Sequence, residues 1–174
     1  MRSGIFPVML TALVFAAGCG GDEPSAGLTP ADYEGWASTV DGPLLYEIPG
    51  HTLDVRLIYI NDTGTRVDVT ENKNQLTYDY PDGTIILKEN YTAEESATPD
   101  NLTVMIKSRK DVRARGGWIW VAKDVATGEE RIFSDEFCFT CHQNANEPHP
   151  YGDGNPNGEY RDFVFYPWNP GNGG

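Results

Sequence analysis

Basic residues are scarce in this chain: 13 Lys and Arg stand against 26 Asp and Glu in 174 residues, a formal charge of −13. That excludes a nucleic-acid reader, because phosphate binding needs clustered cations. The acidity itself implies no particular partner, since exported domains carry such charge for solubility. Sulfur is also scarce, with three cysteines and three methionines. Two of those methionines, Met1 and Met9, sit in the N-terminal segment, which leaves only Met105 for the body of the chain. No apolar run suits a membrane-spanning helix: Ile5 to Ala17 is too short and is interrupted by Pro7. Internal repeats and heptads are absent as well, which removes solenoids and coiled coils.

What is present begins with export. Arg2, the apolar run and the small residues Ala17 and Gly18 before Cys19 have signal-peptide architecture over residues 1–18. VFAAGC resembles a bacterial lipobox, in which cleavage exposes a cysteine that is then acylated. Cys19 is therefore the expected lipidation site, and the chain is expected to be a periplasmic or cell-surface lipoprotein that meets the membrane only through that anchor. Residues 19–30, small, polar and without apolar periodicity, read as a flexible tether. Residues 31–170 remain as one domain, long enough to bury a core.

That domain reads mainly as strands. TLDVRLIYIN alternates Leu53, Val55, Leu57 and Tyr59 against Asp54 and Arg56, then turns apolar on both sides at Ile58 and Ile60. PDGTIILKENY follows a turn at Asp82-Gly83. NLTVMIKSR and GGWIWVAKD make a third and a fourth strand, and RDFVFYPW a last, short one stopped by Pro167. LTPADYEGW is a short helix candidate after Thr29. Strands at this spacing without long helices between them imply an antiparallel sheet, a mainly β (α+β) fold with a few short helices.

Near the C-terminus stands CFTCHQNA. Its thiols, Cys138 and Cys141, are three apart and His142 is four from the first, so on a helix the three side chains share one face. Two thiols and an imidazole so placed suit a haem c held by two thioethers, with His142 on the iron. Ser134, Asp135 and Glu136 supply the cap and acids of a helix start. Zinc would need further ligands, and only His51 and His149 remain among the histidines. A thioredoxin-like pair would need a βαβ context that is missing.

Taken in order, LDVRLIYIND, PDGTIILKEN, LTVMIK, GGWIWVAKD, CFTCH and DFVF resemble the cytochrome P-460 family, whose fold is shared by the cytochromes c prime beta. The resemblance implies an antiparallel sheet, a homodimer and a covalently attached, pentacoordinate haem c. In the crosslinked branch it also implies oxidation of hydroxylamine, with nitric oxide taking part, and covalent attachment of a strand lysine to the macrocycle. Lys88 occupies that position. Strand parity alone puts Thr84, Ile86 and Lys88 on one face and Ile85, Leu87 and Glu89 on the other, so one of two adjacent charges should point inward. An inward Lys88 would be pushed toward the neutral, nucleophilic amine.

The open side of the iron needs a proton acceptor, and family members with activity can use a distal carboxylate there. Asp135 and Glu136 are the candidates, although both are equally explained as first-turn charges. Trp118 and Trp120 share a face and either wall the pocket or fill the core. Met105 would make a His/Met electron carrier, but it falls on the side of Thr103 and Lys107, away from Leu102, Val104 and Ile106. His51 and His149 are expected to be exposed. The segment NEPHPYGDGNPNGEY is longer than the family connection and reads as a surface loop. After it, Arg161 and Asp162 are placed to reach His142, where a carboxylate or carbonyl would fix its tautomer. Three functions stay open: a hydroxylamine oxidoreductase with an unknown redox partner, a gas-binding protein without turnover, and a one-electron carrier.

Overall fold

The computed structural model describes residues 27–48, 50, 51 and 55–169. The signal segment and Cys19 lie outside the described residues, as does Leu53. In chain order the strands are β1 (Ala37–Ser38), β2 (Val55–Ile60), β3 (Asp68–Asn72), β4 (Gln75–Asp79), β5 (Ile85–Tyr91), β6 (Asn101–Lys107), β7 (Trp118–Asp124) and β8 (Glu130–Phe133). The one α-helix among the described residues, α1 (Phe137–His142), runs into a 3-10 turn, Gln143–Asn146. Six strands form one sheet in the order β1-β2-β5-β6-β7-β8, every neighbouring pair antiparallel, and β3 and β4 form a separate hairpin. The fold is the mainly antiparallel β architecture expected, with its short helix near the C-terminus.

Side chains alternate along a strand, so the sheet has two faces, and both are covered. On one face Ile58, Ile60, Ile86, Met105, Trp118 and Trp120 pack with Tyr78, Tyr80 and Val164. On the other, Leu87, Leu102, Val104, Ile119 and Val121 pack beneath Leu28, Tyr33 and Trp36. The stretch from Leu28 to Trp36 lies over this second face, where the Leu28 and Thr29 amides donate to the Glu130 carboxylate at 2.7 and 3.0 Å. Covering both faces corrects the expectation of one polar side: Met105 and Lys107 point into the first core, and Arg56 is only 1% exposed. Lys88 is half-buried and Glu89 is buried. Lys88 shares the face of Ile86, while Glu89 is buried on the opposite face, where Tyr33 and Tyr91 donate to it at 2.9 and 2.8 Å.

Two expected elements differ. LTPADYEGW forms only a 3-10 turn, Tyr33–Gly35, whose N-cap Asp32 makes no side-chain cap bond. RDFVF is not a strand, because Asp162 and Phe163 have φ of 49° and 71°, a left-handed reversal that no strand accommodates. The β3-β4 hairpin was not foreseen either. Its two-residue turn, Lys73-Asn74, takes positive φ at both positions, the geometry that matches strand twist, but it lacks the Asn-Gly or Asp-Gly signature.

Candidate functional site

Register lines up the site. Across the first face, Ile60, Ile86, Met105, Trp120 and Phe133 are successive partners, and two residues along the strands run Ile58, Lys88, Thr103, Ala122 and Arg131. The helix α1 lies over this face. The helix begins just after the acids rather than with them: Glu136 is its N-cap and makes no side-chain cap bond, no acid stands in the first turn, Asp135 Oδ1 accepts from the Phe137 amide at 3.3 Å, and the Thr140 amide donates to the Glu136 carbonyl at 2.8 Å. Between sheet, helix and C-terminal loop is a cavity of about 560 Å³. Its wall includes Ile58, Ile86, Met105, Trp120, Phe133 and Phe165, with Lys88, His51, Cys138, Cys141 and His142 facing it.

His142 has the geometry an iron ligand would need. Its Nδ1–H donates to the Phe163 carbonyl at 2.8 Å, which leaves Nε2 unprotonated. The ring packs on Trp120, centroids 4.7 Å apart, and on the edge of Phe165 at 5.2 Å. Burial lowers its pKa to about 4, with the Phe163 bond opposing and Lys88 assisting, so the imidazole is neutral near pH 7. The carbonyl expected against this histidine is therefore Phe163's. The Asp162 carboxylate goes elsewhere, to Lys107 at 2.7 Å.

Cys138 and Cys141 are free thiols. Burial, with Asp135 nearby, pushes the Cys138 thiol up to about 11. Among the described residues no group of three or more His, Cys, Asp or Glu is assembled to hold a bare metal ion. The donor set fits a haem instead. Two thiols with no disulfide partner among the described residues and one imidazole Nε2 border an apolar-walled chamber in the size range of small-molecule and cofactor pockets.

Lys88 faces that chamber. Burial lowers its pKa to about 7, and Arg56 pushes in the same direction. Its Nζ lies 2.9 Å from His51 Nδ1 and 3.3 Å from Nε2. His51, expected at the surface, is thus a cavity residue, lowered to about 3 by burial and then by the Lys88 charge. His149 and Tyr151 also line the chamber, His149 against Phe165 at 4.9 Å, so the long loop forms part of the wall rather than a neutral insertion. Trp120 lines the cavity; Trp118 is fully buried behind it and donates to the Asp162 carbonyl at 2.9 Å. Asp135 and Glu136 are exposed, and neither lines the cavity.

Sequence reasoning missed Arg56 and His51. Arg56 had a signal, since it shares strand parity with Ile58 and Ile60 and so with the buried face. Its guanidinium bonds to the Tyr46 carbonyl and stacks over the Tyr46 ring at 4.8 Å. His51 had none, because it lies before β2 and is placed by a bridge to Ile48.

A family model described as Cytochrome P460 matches residues 30–166. No curated protein matches the chain.

Proposed function

The chain belongs to the cytochrome P460 family, a family of c-type haem proteins, and from that premise we propose that it oxidises hydroxylamine, with nitric oxide taking part, to nitrogen oxides. The observation that carries the reading is Lys88: a cavity-facing amine, on the wall that Cys138 and His142 share, with a pKa lowered to about 7. When bound, the haem supplies the iron that binds a small nitrogen ligand and takes up its electrons. The chain's own residues do the rest. Cys138 and Cys141 attach the group, and His142, oriented by the Phe163 carbonyl, holds it from one side. Lys88, neutral above about pH 7, is the residue that would bond covalently to the macrocycle, exchanging a ring C–H for C–N with release of two protons and two electrons to an oxidant of the peroxide class. Protons released by the substrate need an acceptor within reach. His51 lines the chamber and Asp135 and Glu136 do not, which favours His51 for that role. Loss of the Lys88 charge in a covalent link would remove one cause of the depressed His51 pKa and make it a better base.

A gas-binding protein without turnover is the second reading. It is favoured by the 2.9 Å contact to His51, which already satisfies Lys88 without a covalent bond. Met105 on the cavity wall similarly supports the electron-carrier reading. The proposal extends to an exported homodimer anchored through Cys19, resting on the N-terminal segment and the family.

Comparison of the wild-type holoprotein with Lys88→Ala separates the first two readings. In a tryptic digest of wild type, the peptide carrying Lys88 should travel with the haem peptide containing Cys138 and Cys141, and the Soret band should lie well to the red of the variant's. Identical digests and spectra would remove the covalent link, and with it most of the case for turnover. Nitric oxide binding that first displaces Met105 would favour the carrier.

A further inference from the structure

We infer that the buried Lys107–Asp162 ion pair is a positioning element for His142: it holds the chain reversal at Asp162 and Phe163 so that the Phe163 carbonyl faces imidazole Nδ1. The inference rests on His142 being the iron ligand.

The reversal needs holding. Asp162 and Phe163 are consecutive non-glycine residues at φ of 49° and 71°, a region that a β-carbon disfavours and a bulky aromatic more so. Left alone, the segment RDFVF would relax to the extended form that its sequence suggests, and the Phe163 carbonyl would swing away. Two sets of contacts prevent this. On the sheet side, Asp162 Oδ1 accepts from Lys107 Nζ at 2.7 Å and Oδ2 from the Tyr80 amide at 3.3 Å, while the Asp162 carbonyl accepts from Trp118 Nε1 at 2.9 Å. On the helix side, Asn146 Oδ1 accepts from the Arg161 and Phe163 amides at 2.9 and 3.1 Å. Lys107 and Trp118 are register partners on β6 and β7, and the ammonium lies 4.8 Å from the Trp118 ring centroid. Two residues further along β7, Trp120 packs on the His142 ring. The same strand that braces the reversal thus also braces the imidazole.

A role in geometry explains why a charged pair is kept here. The Lys107 and Asp162 side chains are 3% and 4% exposed, and a buried ion pair seldom adds more net stability than a well-packed apolar pair would. What an apolar pair cannot do is grip the carboxylate that fixes the reversal. Neither Lys107 nor Asp162 bonds to His142 itself. Their effect passes through the Phe163 carbonyl, whose hydrogen bond draws Nδ1–H toward oxygen, enriches Nε2 and strengthens it as a ligand to ferric iron. Weakening that bond should weaken the iron–histidine bond and raise the reduction potential.

The test uses the haem-loaded protein. The double variant Lys107→Met/Asp162→Asn removes both charges together and so leaves no unpaired ion in the core. Resonance Raman of the ferrous form reads the iron–histidine stretch, and a redox titration reads the potential. Expected is unchanged thioether attachment, a stretch shifted to lower frequency and a higher potential. Arg113→Ala, which breaks the surface pair with Asp111, should change neither. If the double variant fails to load haem, Asp162→Asn alone must shift both quantities in the same directions. A stretch and potential equal to wild type in the variant that loads would overturn the inference and leave the pair as packing only. Absence of any iron–histidine stretch in ferrous wild type would instead sink the reading of His142 as the ligand of a five-coordinate iron.

Discussion

His51 and Lys88 share a contact in which the two cannot both be charged, and their pKa values separate accordingly. Lys88 gives up its proton near pH 7, and burial with the Lys88 charge holds His51 down at about 3. The consequence for stability follows from proton counting. In the unfolded chain His51 takes up a proton as pH falls through about 6.5, whereas in the folded chain it resists until about 3. Between those values the unfolded state binds more protons, so stability falls as pH falls, and the loss is complete below about 3. Removing the imidazole removes that share of the acid sensitivity. His51→Gln should therefore unfold at a lower pH than wild type in an acid titration followed by circular dichroism, with the two chains alike above pH 7. An acid midpoint equal to or above that of wild type would show that His51 is not the buried neutral group placed against Lys88.

At the scale of elements, what holds the site together is the meeting of α1 with the loop before β7 and the reversal after Tyr160. Gly116 occupies that junction with φ of +63°, and a β-carbon there would come within 2.6 Å of Phe139 Cε2 and 3.0 Å of Phe163 Cε2. The conformation and the contact act together, so Gly116→Ala should cost about 2 kcal/mol or more. Because Phe139 lies on α1 between Cys138 and Cys141, the variant should also carry less haem per chain. Haem-to-protein ratio and a denaturant titration check the two effects, and full haem occupancy at wild-type stability would contradict the packing. The strands were legible because β2, β5, β6 and β7 are long in β-branched and aromatic residues between turn signals. The short helix near the C-terminus was legible from the spacing of Cys138, Cys141 and His142, which do line one cavity. Which face mattered was not. NLTVMIK reads as one apolar and one polar side, yet Met105 and Lys107 lie in the first core while the N-terminal segment covers Leu102 and Val104. Sequence parity gives two faces but not what will cover them. RDFVF was misread for a related reason: its propensity is extended, and the left-handed turn is imposed by partners as distant in sequence as Tyr80 and Lys107.

For the whole molecule, the question is how a small domain tolerates a large chamber beneath its sheet. A chamber of about 560 Å³ without its occupant would leave Ile58, Ile86, Met105, Trp120 and Phe165 as wetted apolar walls, which costs free energy in proportion to the area wetted. A haem seated there would be part of the core, and folding and loading would be coupled in the way metal binding and folding are coupled elsewhere. Cys138→Ala/Cys141→Ala/His142→Ala, or wild type made without haem attachment, should keep much of its strand signal in the far ultraviolet. It should lose near-ultraviolet aromatic signal from Trp120 and Phe165, bind a hydrophobic dye and be cut by protease within the loop of residues 147–160. The second face, built on Leu87, Leu102, Val104, Ile119 and Val121, does not touch the chamber through its buried strand side chains other than Val104 and Val121, and should be the last part to open. Hydrogen exchange resolves this: protection in β5 and β6 should outlast protection in α1 and the C-terminal reversal. Uniform loss of protection, or a haem-free chain as cooperative and protease-resistant as the loaded one, would show that the sheet supports the chamber without its cofactor.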